Sequence, residues 1–291
     1  MDRIVGDEFG RGARLQGEWS WQIATAFFFG EVGAGLFLAS LVFDSVSGMA
    51  WGVLLTAVGK TTGHLLHLGQ PLRAWRAIVR LRSSWVSRGL LAIVLFTGFG
   101  AAYVLCRAEL TFGLIPKSLA PLYAAIAVAA AVVVALYQGL AMSHSSAIAL
   151  WNTGLLPMIG LTYALLAGVS LLLAAAQLPD LALAKYVALA LLAYAFLSVL
   201  CLLHGAKYGP KGAAQSAELV VQGGLTGWFT AVVLGAGFIV PALLLAFGTD
   251  GANLEFSAAC VLIGYYAFRV LLLRAGLYDP IQSFTGQARR P

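Results

Sequence analysis

Lys60, His64 and His67 follow one another at intervals of four and three residues near the end of an apolar run. On an α-helix this spacing places the three side chains in one stripe. A neutral imidazole donates a hydrogen bond from one ring nitrogen and accepts one at the other, and its charge changes near neutral pH. The stripe therefore predicts a polar track that binds a ligand and moves a proton. In the alternative interpretation, it is a helix end whose lysine reaches lipid headgroups.

A basic segment that contains a tryptophan follows the stripe directly. Pro71 suits the first turn of a helix, and arginines alternate with apolar residues up to Arg82. This pattern predicts a short interfacial helix from Pro71 to Arg82, within a basic interfacial segment at residues 71–88. One interpretation is a surface helix held by anionic headgroups. The other is a docking site for an acidic protein partner. The docking residues would be Arg76, Arg80, Arg82 and Arg88.

Ionisable residues also interrupt the first and the last apolar runs of the chain. Glu31 stands among glycines in the first run, and Arg269 lies inside the last. An ionisable residue within a membrane-spanning run indicates a functional site, and a buried carboxylate is expected to be neutral or paired. The glycines alternatively indicate close helix packing. Trp151 and Asn152 open a later run, where the asparagine is either a site residue or a helix cap.

The composition excludes an ordinary soluble protein. Of the 291 residues, 60% are hydrophobic and 10% are charged, and the mean hydropathy is +0.88; soluble domains carry roughly 25% charged residues. Long apolar runs in lipid must be helices, because helices satisfy their own backbone polar groups. We expect a single polytopic all-α membrane domain over residues 1–291, with a polar tail at 1–18, a retained first span and a C-terminal tail at 275–291. The eight predicted spans are Trp21–Phe43, Met49–Leu66, Gly89–Cys106, Pro121–Leu140, Trp151–Ala175, Leu181–Leu203, Gly224–Phe247 and Ala252–Leu273.

The 18 lysines and arginines are distributed unevenly between the two sides that eight spans create. Only Arg107, Lys117 and Lys185 fall on the side opposite the termini, so the other 15 lie on the side of the termini. Because cytoplasmic loops carry an excess of lysine and arginine, we expect both termini and the 71–88 segment to be cytoplasmic. The protein would then be a multi-pass protein of the cytoplasmic (inner) membrane.

Five short segments together resemble a known family, the NrfD/DmsC-like membrane anchors of molybdopterin oxidoreductases. They are His67–Arg76, Ser83–Arg88, His144–Ser146, Trp151–Thr153 and Leu155–Pro157. The resemblance covers the whole chain and implies eight helices in two four-helix bundles. It also implies binding of a quinone, menaquinone or ubiquinone, and electron exchange with a four-cluster iron–sulfur subunit. That subunit would in turn exchange electrons with a molybdopterin catalytic subunit, as in anaerobic respiration.

The resemblance also implies residue roles. His67 and Arg73 match positions implicated in the quinone site of the family, and we add His64, Glu31, Trp151, Asn152 and Arg269 as candidates. The family often has a carboxylate shortly after the serine that corresponds to Ser87, whereas this chain continues with Arg88, Gly89 and Leu90. Glu31 is then the candidate for the missing proton acceptor.

The sequence therefore predicts a quinone-reactive membrane subunit that is not itself the site of substrate oxidation or reduction. The three cysteines are far apart and form no metal-binding motif, so we expect the chain to hold no metal. One alternative is a haem b anchor, which needs histidine pairs that face each other at matching depth. Another is a small secondary transporter, which needs discontinuous helices and polar residues at the membrane midplane.

Overall fold

The structure is a computed structural model that describes residues 14–68, 71–175, 178–248 and 250–279. Seven helices in it are long and apolar enough to cross a membrane, so the chain is an integral, multi-pass membrane protein. The predicted tails at 1–13 and 280–291, and residues 69–70 of the motif, lie outside the described residues. The helices are α1 Trp21–Val42, α2 Val46–Leu54, α3 Thr61–His67, α4 Trp85–Arg107, α5 Ala120–Ser143, α6 Leu155–Ala174, α7 Leu181–Lys207, α8 Lys211–Val221, α9 Thr226–Trp228, α10 Val240–Phe247 and α11 Gly251–Arg274.

The second predicted span is one continuous helix with a widened centre. A π-helical segment, Leu55–Lys60, joins α2 to α3 without a break. A helix of this length is roughly 30 Å long. Its polar residues, among them Lys60, His64 and His67, set it apart from the seven more apolar helices.

Side chains of four residues start helices in the way that local propensity predicts. Ser45, Ser84, Asp180 and Asp250 each accept a hydrogen bond from a backbone N–H in the first turn of the following helix. Such caps satisfy amide groups that have no partner within the helix. They fix where α2, α4, α7 and α11 begin, and hence the depth of the side chains that these helices carry.

Several predicted boundaries are wrong in informative ways. The segment from Pro71 forms a short helix as predicted, but it is a 3₁₀-helix and ends at Arg80 rather than at Arg82. The fifth span starts at Leu155, because the chain around Trp151 forms turns whose amide groups bond back to Ile148 and Ala149. The sequence analysis also missed α8 and a second π-helical segment, Phe229–Ile239, which precedes α10.

Helices α1 and α6 pack closely at the centre of the protein. A Cβ atom added to Gly35 would lie 1.8 Å from the carbonyl oxygen of Ala164, and one added to Gly168 would lie 2.4 Å from that of Gly35. Only glycine permits this approach, so the prediction of close helix packing around Glu31 is confirmed. The contact places Glu31 in the interior, where its side chain is fully buried.

The other helix contacts follow two closed circuits. In the first, α1 contacts α2 and α5, and α4 contacts both α2 and α5. In the second, α6 contacts α7 and α11, and α10 contacts both α7 and α11. Contacts of α6 with α1 and α5, and of α11 with α1, join the two circuits.

Both described chain ends meet at one end of the protein. Strand β1, Arg14–Leu15, pairs antiparallel with β2, Leu277–Tyr278, and Gln16 donates from its side chain to the carbonyl of Leu273 at 2.8 Å. The loop before α6 joins this end, because the amide of Asp279 donates to the carbonyl of Ala147 at 3.1 Å. We call this end the terminal face.

The opposite end is held together by different contacts. Arg107 at the end of α4 pairs with Asp44 after α1 at 2.6 Å. Lys185 near the start of α7 donates to the carbonyl of Gly248 after α10 at 2.7 Å. Two of the three basic residues that the sequence analysis assigned away from the termini thus lie together at that end.

Candidate functional site

Lys60 is a fully buried lysine inside an apolar helix bundle. It ends the π-helical segment and has no exposed surface, so the interpretation that it reaches the lipid headgroups is wrong. Its side chain fills the space beside Gly30, where an added Cβ would lie 2.6 Å from Cδ and 2.7 Å from Nζ of Lys60. The amine donates to the carbonyl of Ala26 at 3.3 Å. Wide π-helical turns often occur at functional sites.

Aromatic rings surround the same amine. Nζ of Lys60 lies 4.8 Å from the centre of the Tyr137 ring and 5.7 Å from that of Phe27. An ammonium group over an aromatic face gains roughly 2 kcal/mol or more when both are desolvated. The rings therefore offset part of the cost of burying this cation.

Next to Lys60 the structure contains a cavity of about 200 Å³, which we call the histidine cavity. His64 and His67 both line it, so the predicted stripe is confirmed as one face directed to a common space. His64 Nε2 lies 3.4 Å from the hydroxyl oxygen of Tyr137. The full lining consists of Lys60, Thr61, His64, Leu65, His67, Leu68, Ala77, Val86, Leu90, Ile93 and Tyr137.

The segment after α3 folds back over this cavity. Ala77 of the 3₁₀-helix lines it, and the hydroxyl of Ser87 in α4 donates to the carbonyl of Ala77. Arg73 lies on the same 3₁₀-helix, but its side chain is exposed and does not line the cavity. A contact between Arg73 and a ligand therefore stays a prediction.

Gly89, near the position where the family often has a carboxylate, packs against an aromatic ring. A Cβ atom at Gly89 would lie 2.2 Å from Cδ2 of Tyr137. Glycine at this position therefore lets the Tyr137 ring approach α4 and reach both Lys60 and His64. The departure from the family pattern has a packing consequence at the site itself.

Glu31 and Arg269 form a buried ion pair across the protein. Arg269 Nη2 donates to Glu31 Oε1 at 2.5 Å, and neither side chain has more than 1% of its surface exposed. Arg269 Nε also donates to the hydroxyl of Tyr265 at 3.3 Å. The pair fits beside Gly160, where an added Cβ would lie 2.8 Å from Glu31 Oε1. The expectation that Glu31 is neutral or paired is met by this partner on α11.

Each partner of the ion pair retains one polar atom that has no hydrogen bond to any described residue. These atoms are Glu31 Oε2 and Arg269 Nη1. Gln138 donates to the carbonyl of Phe27 at 3.2 Å, but its Oε1 has no partner among the described residues. Buried polar atoms normally have partners, so these exceptions mark a polar region with capacity for further hydrogen bonds.

Trp151 and Asn152 lie away from these groups. The indole of Trp151 is buried, donates to the carbonyl of Leu272 at 3.0 Å and stacks on Trp19 with ring centres 5.3 Å apart. Asn152 is exposed, and Gly154 rather than Asn152 precedes the first turn of α6. Trp151 therefore fastens the loop before α6 to the terminal face.

The basic interfacial segment presents most of its arginines to the surroundings. Arg76, Arg80 and Arg82 are exposed. Arg88 instead folds back, donating to the carbonyls of Leu81 at 2.9 Å and Arg82 at 2.7 Å, while its guanidinium covers the ring of Trp85. Arg88 thus holds the turn between the 3₁₀-helix and α4.

Two larger cavities lie on the other side of α1. One of about 500 Å³ borders Trp19 and Trp21, and one of about 530 Å³ borders Tyr266; Arg274 lines both and is the only charged side chain in either lining. The histidine cavity combines a lysine, two imidazoles and a phenol. We rank it first because a few convergent polar groups on apolar walls are typical of ligand sites.

The comparisons with known proteins agree with this fold. The polysulphide reductase NrfD family matches residues 12–280. The chain belongs to the NrfD family. Members of this family are membrane subunits that work with the catalytic subunits of polysulphide and molybdopterin reductases. The comparison with curated proteins gives no match.

The sequence analysis did not identify all members of the site. Tyr137 and Gln138 were missed, although two adjacent polar residues interrupt an alanine- and valine-rich run there. Lys60 was recognised only as part of the stripe. Its burial was not predicted, because lysines near helix ends commonly extend towards water.

The ion pair gives a direct test of this geometry. We expect Glu31→Gln or Arg269→Met alone to destabilise the protein by about 3–5 kcal/mol, because each leaves a buried charge without its partner. The double variant should recover much of this loss. Thermal stability of the four purified forms in detergent measures the coupling.

The exposed pair Arg107–Asp44 provides the matched control. Its side chains are 35% and 73% exposed, and such pairs contribute about 0–1 kcal/mol. Asp44→Asn should therefore have a small effect. Additive losses in the Glu31 and Arg269 variants would contradict a coupled buried pair.

Proposed function

We propose that this chain binds quinone and quinol in the histidine cavity and exchanges electrons with an iron–sulfur subunit of a molybdenum-dependent oxidoreductase complex. The composition of that cavity carries the proposal. Leu65 and Val86 form part of its lining and are 44% and 53% exposed, so a ligand dissolved in lipid can enter between them. Menaquinone and ubiquinone offer a flat apolar ring with two carbonyl oxygens, which suits apolar walls that carry several polar groups.

The residues of the cavity bind and orient such a ligand. His67 and His64 donate hydrogen bonds to its oxygens and accept protons from them, since a neutral imidazole does both. Oxidation of a quinol releases two protons and two electrons, and reduction of a quinone consumes them. The electrons pass to or from the iron–sulfur subunit; the redox chemistry belongs to the quinone, and this protein supplies position and electrostatics.

Glu31, which Arg269 holds in place, takes the role of a proton acceptor behind the cavity. Lys60 reaches from the cavity to Gly30, the residue before Glu31. Glu31 Oε2 is buried and has no hydrogen-bond partner among the described residues. A carboxylate with a free oxygen accepts a proton more readily than one whose two oxygens are both bonded.

The two alternatives have less support. A haem anchor needs facing histidine pairs, but His64 and His67 share one helix, and His144 and His204 are exposed. A transporter expects discontinuous helices at its binding site, whereas the helix that carries Lys60 is continuous through its π-helical segment. Family membership also favours a subunit of a reductase complex.

The proposed topology has eight crossings in two four-helix bundles. Pairing of β1 with β2 brings both ends of the described chain to the terminal face, which requires an even number of crossings between them. The helix at residues 46–67 is the eighth in addition to the seven more apolar ones. The two closed circuits of helix contacts support the bundles. The positive-inside rule places the terminal face in the cytoplasm.

Single cysteines in a cysteine-free variant test this topology. Cysteines replacing Arg14 and Arg80 should resist an impermeant thiol reagent in intact cells, and a cysteine replacing Phe112 should react. Reaction of the first two and not the third would reverse the orientation. Opposite behaviour of Arg14→Cys and Arg80→Cys would contradict a crossing by residues 46–67.

The basic interfacial segment is the proposed dock for the iron–sulfur subunit. Arginines alternate there with exposed apolar side chains, including Val79 and Leu81, which are 69% and 40% exposed. An acidic partner with apolar contacts complements this surface in both respects. Charge complementarity of this kind mainly governs encounter and register. The competing interpretation is attachment to anionic lipid headgroups.

Charge reversal distinguishes docking of a protein partner from attachment to lipid headgroups. We expect the double variant Arg80→Glu, Arg82→Glu to release the soluble subunits from membranes while their activity with artificial dyes is retained. Lys117→Glu, at an exposed residue on the opposite end, is the control and should leave the complex intact. A membrane-bound complex with normal quinone turnover in the double variant would place the dock elsewhere.

His67→Ala tests the quinone site itself. Loss of the imidazole removes a hydrogen bond and a proton acceptor together, so turnover with quinone should fall at least about tenfold, equivalent to roughly 1.4 kcal/mol. Arg73→Lys keeps the charge and loses the planar donor group, and we expect a smaller defect because Arg73 does not line the cavity. Both rates, with quinone and with dye, are measured on the same assembled complex. Equal loss of the two would indicate an assembly role for His67.

A further inference from the structure

The amine of Lys60 has more hydrogen-bonding capacity than the protein uses. An ammonium group has three donors. Among the described residues, one acceptor binds it, the carbonyl of Ala26 at 3.3 Å. The rings of Tyr137 and Phe27 cover other sides of the amine, and the histidine cavity borders the lysine side chain. The structure therefore places a buried amine with unused donors beside the cavity.

The buried charges of the described residues do not balance. Three ionisable acidic or basic side chains are fully buried: Glu31, Lys60 and Arg269. Glu31 is already held by Arg269 at 2.5 Å, and no carboxylate of the described residues lies within ion-pair distance of Lys60. Glu31 and Arg269 act on Lys60 from further away with opposite signs. The region consequently has two basic groups for one acid.

Excess positive charge in an apolar region favours a negatively charged ligand. Burial of an ion costs several kcal/mol unless a partner offsets it. A hydrogen bond between an ammonium and an oxyanion is shorter and roughly twice as strong as a bond between neutral groups. A neutral head group would leave the excess positive charge uncompensated, whereas a negatively charged head group would offset it.

We infer that Lys60 recognises a negatively charged oxygen on the ligand head group in the histidine cavity. The site consequently binds the ionised form of a hydroxylated quinone more tightly than a neutral quinone of the same shape. This inference rests on the proposed function, since it concerns the same cavity, and it assigns the recognition of charge to Lys60 rather than to the histidines. The other ionisable side chains that lie near the amine or act on its charge are Glu31, Arg269, His64 and Tyr137.

A pair of matched ligands tests the inference without turnover. The first is a 2-hydroxy-3-alkyl-1,4-naphthoquinone, whose hydroxyl is ionised at neutral pH, and the second is its 2-methoxy ether, which is neutral. Their affinities for the purified full-length chain in lipid nanodiscs are measured by titration calorimetry at pH 7. We expect the wild-type chain to prefer the ionised compound at least about tenfold.

Four variants assign the preference to a residue. Lys60→Met and Lys60→Gln should abolish the preference, because the affinity for the ionised compound falls to the level that the same variant shows for the ether. Measurable binding of the ether shows that the variants are folded. Lys60→Arg should retain part of the preference. Lys185→Met, which removes a lysine near the opposite end of the protein, is the matched control and should keep the full preference.

Two further variants separate this inference from the proposed function. His67→Ala should weaken both compounds by similar factors, because it removes a hydrogen bond that does not depend on the ligand charge. Leu90→Trp fills the cavity and should weaken both strongly. Equal affinity of the wild-type chain for both compounds, or a preference that persists in Lys60→Met, would contradict the role of Lys60. It would leave the proposed quinone site unaffected. Failure of both compounds to bind, or no effect of Leu90→Trp, would overturn the quinone site.

Discussion

The cost of holding charged side chains inside an apolar bundle constrains the centre of this protein. Glu31 and Lys60 are fully buried and Arg269 is 1% exposed. The three residues lie on three different helices. Each is stabilised by specific contacts. Glu31 and Arg269 form an ion pair, and Lys60 contacts aromatic faces and one backbone carbonyl. These contacts require that α1, the helix at residues 46–67 and α11 keep their depth and rotation.

Small residues make room for these contacts. Gly30 leaves room for the lysine side chain, Gly160 for the ion pair, and Gly89 for the ring of Tyr137. Gly35 lets α1 and α6 meet backbone to backbone. The glycines of this chain therefore serve packing and chemistry together, because the polar groups reach one another only where helices or rings approach closely.

The sequence alone gives a good account of the helices and of the stripe. Apolar runs and charge predict the spans to within a few residues, and the spacing of Lys60, His64 and His67 predicts a shared face, because both patterns follow helical periodicity. The family match over residues 12–280 confirms the resemblance that the motifs indicated. Quinone binding and the individual site residues stay predictions.

Contacts between distant segments were not predictable in the same way. Glu31 and Arg269 are 238 positions apart, and no local pattern relates them. Trp151 looked like the start of a span because the apolar run extends to it, yet the residue is buried by packing against Trp19 and α11. Tyr137 reaches Lys60 and His64 because Gly89 leaves space for its ring. This space depends on the packing of α4 on α5, which no local pattern shows.

The central claim is that quinone binds in the histidine cavity. Photolabelling with an azido-quinone, followed by peptide mapping, tests it most directly, because the label marks the residues that line the bound ligand. The account predicts label within residues 61–68 and 77–93, suppressed by excess unlabelled quinone. Label that is suppressed by quinone but lies within residues 14–21 or 262–274, beside the two larger cavities, would contradict it.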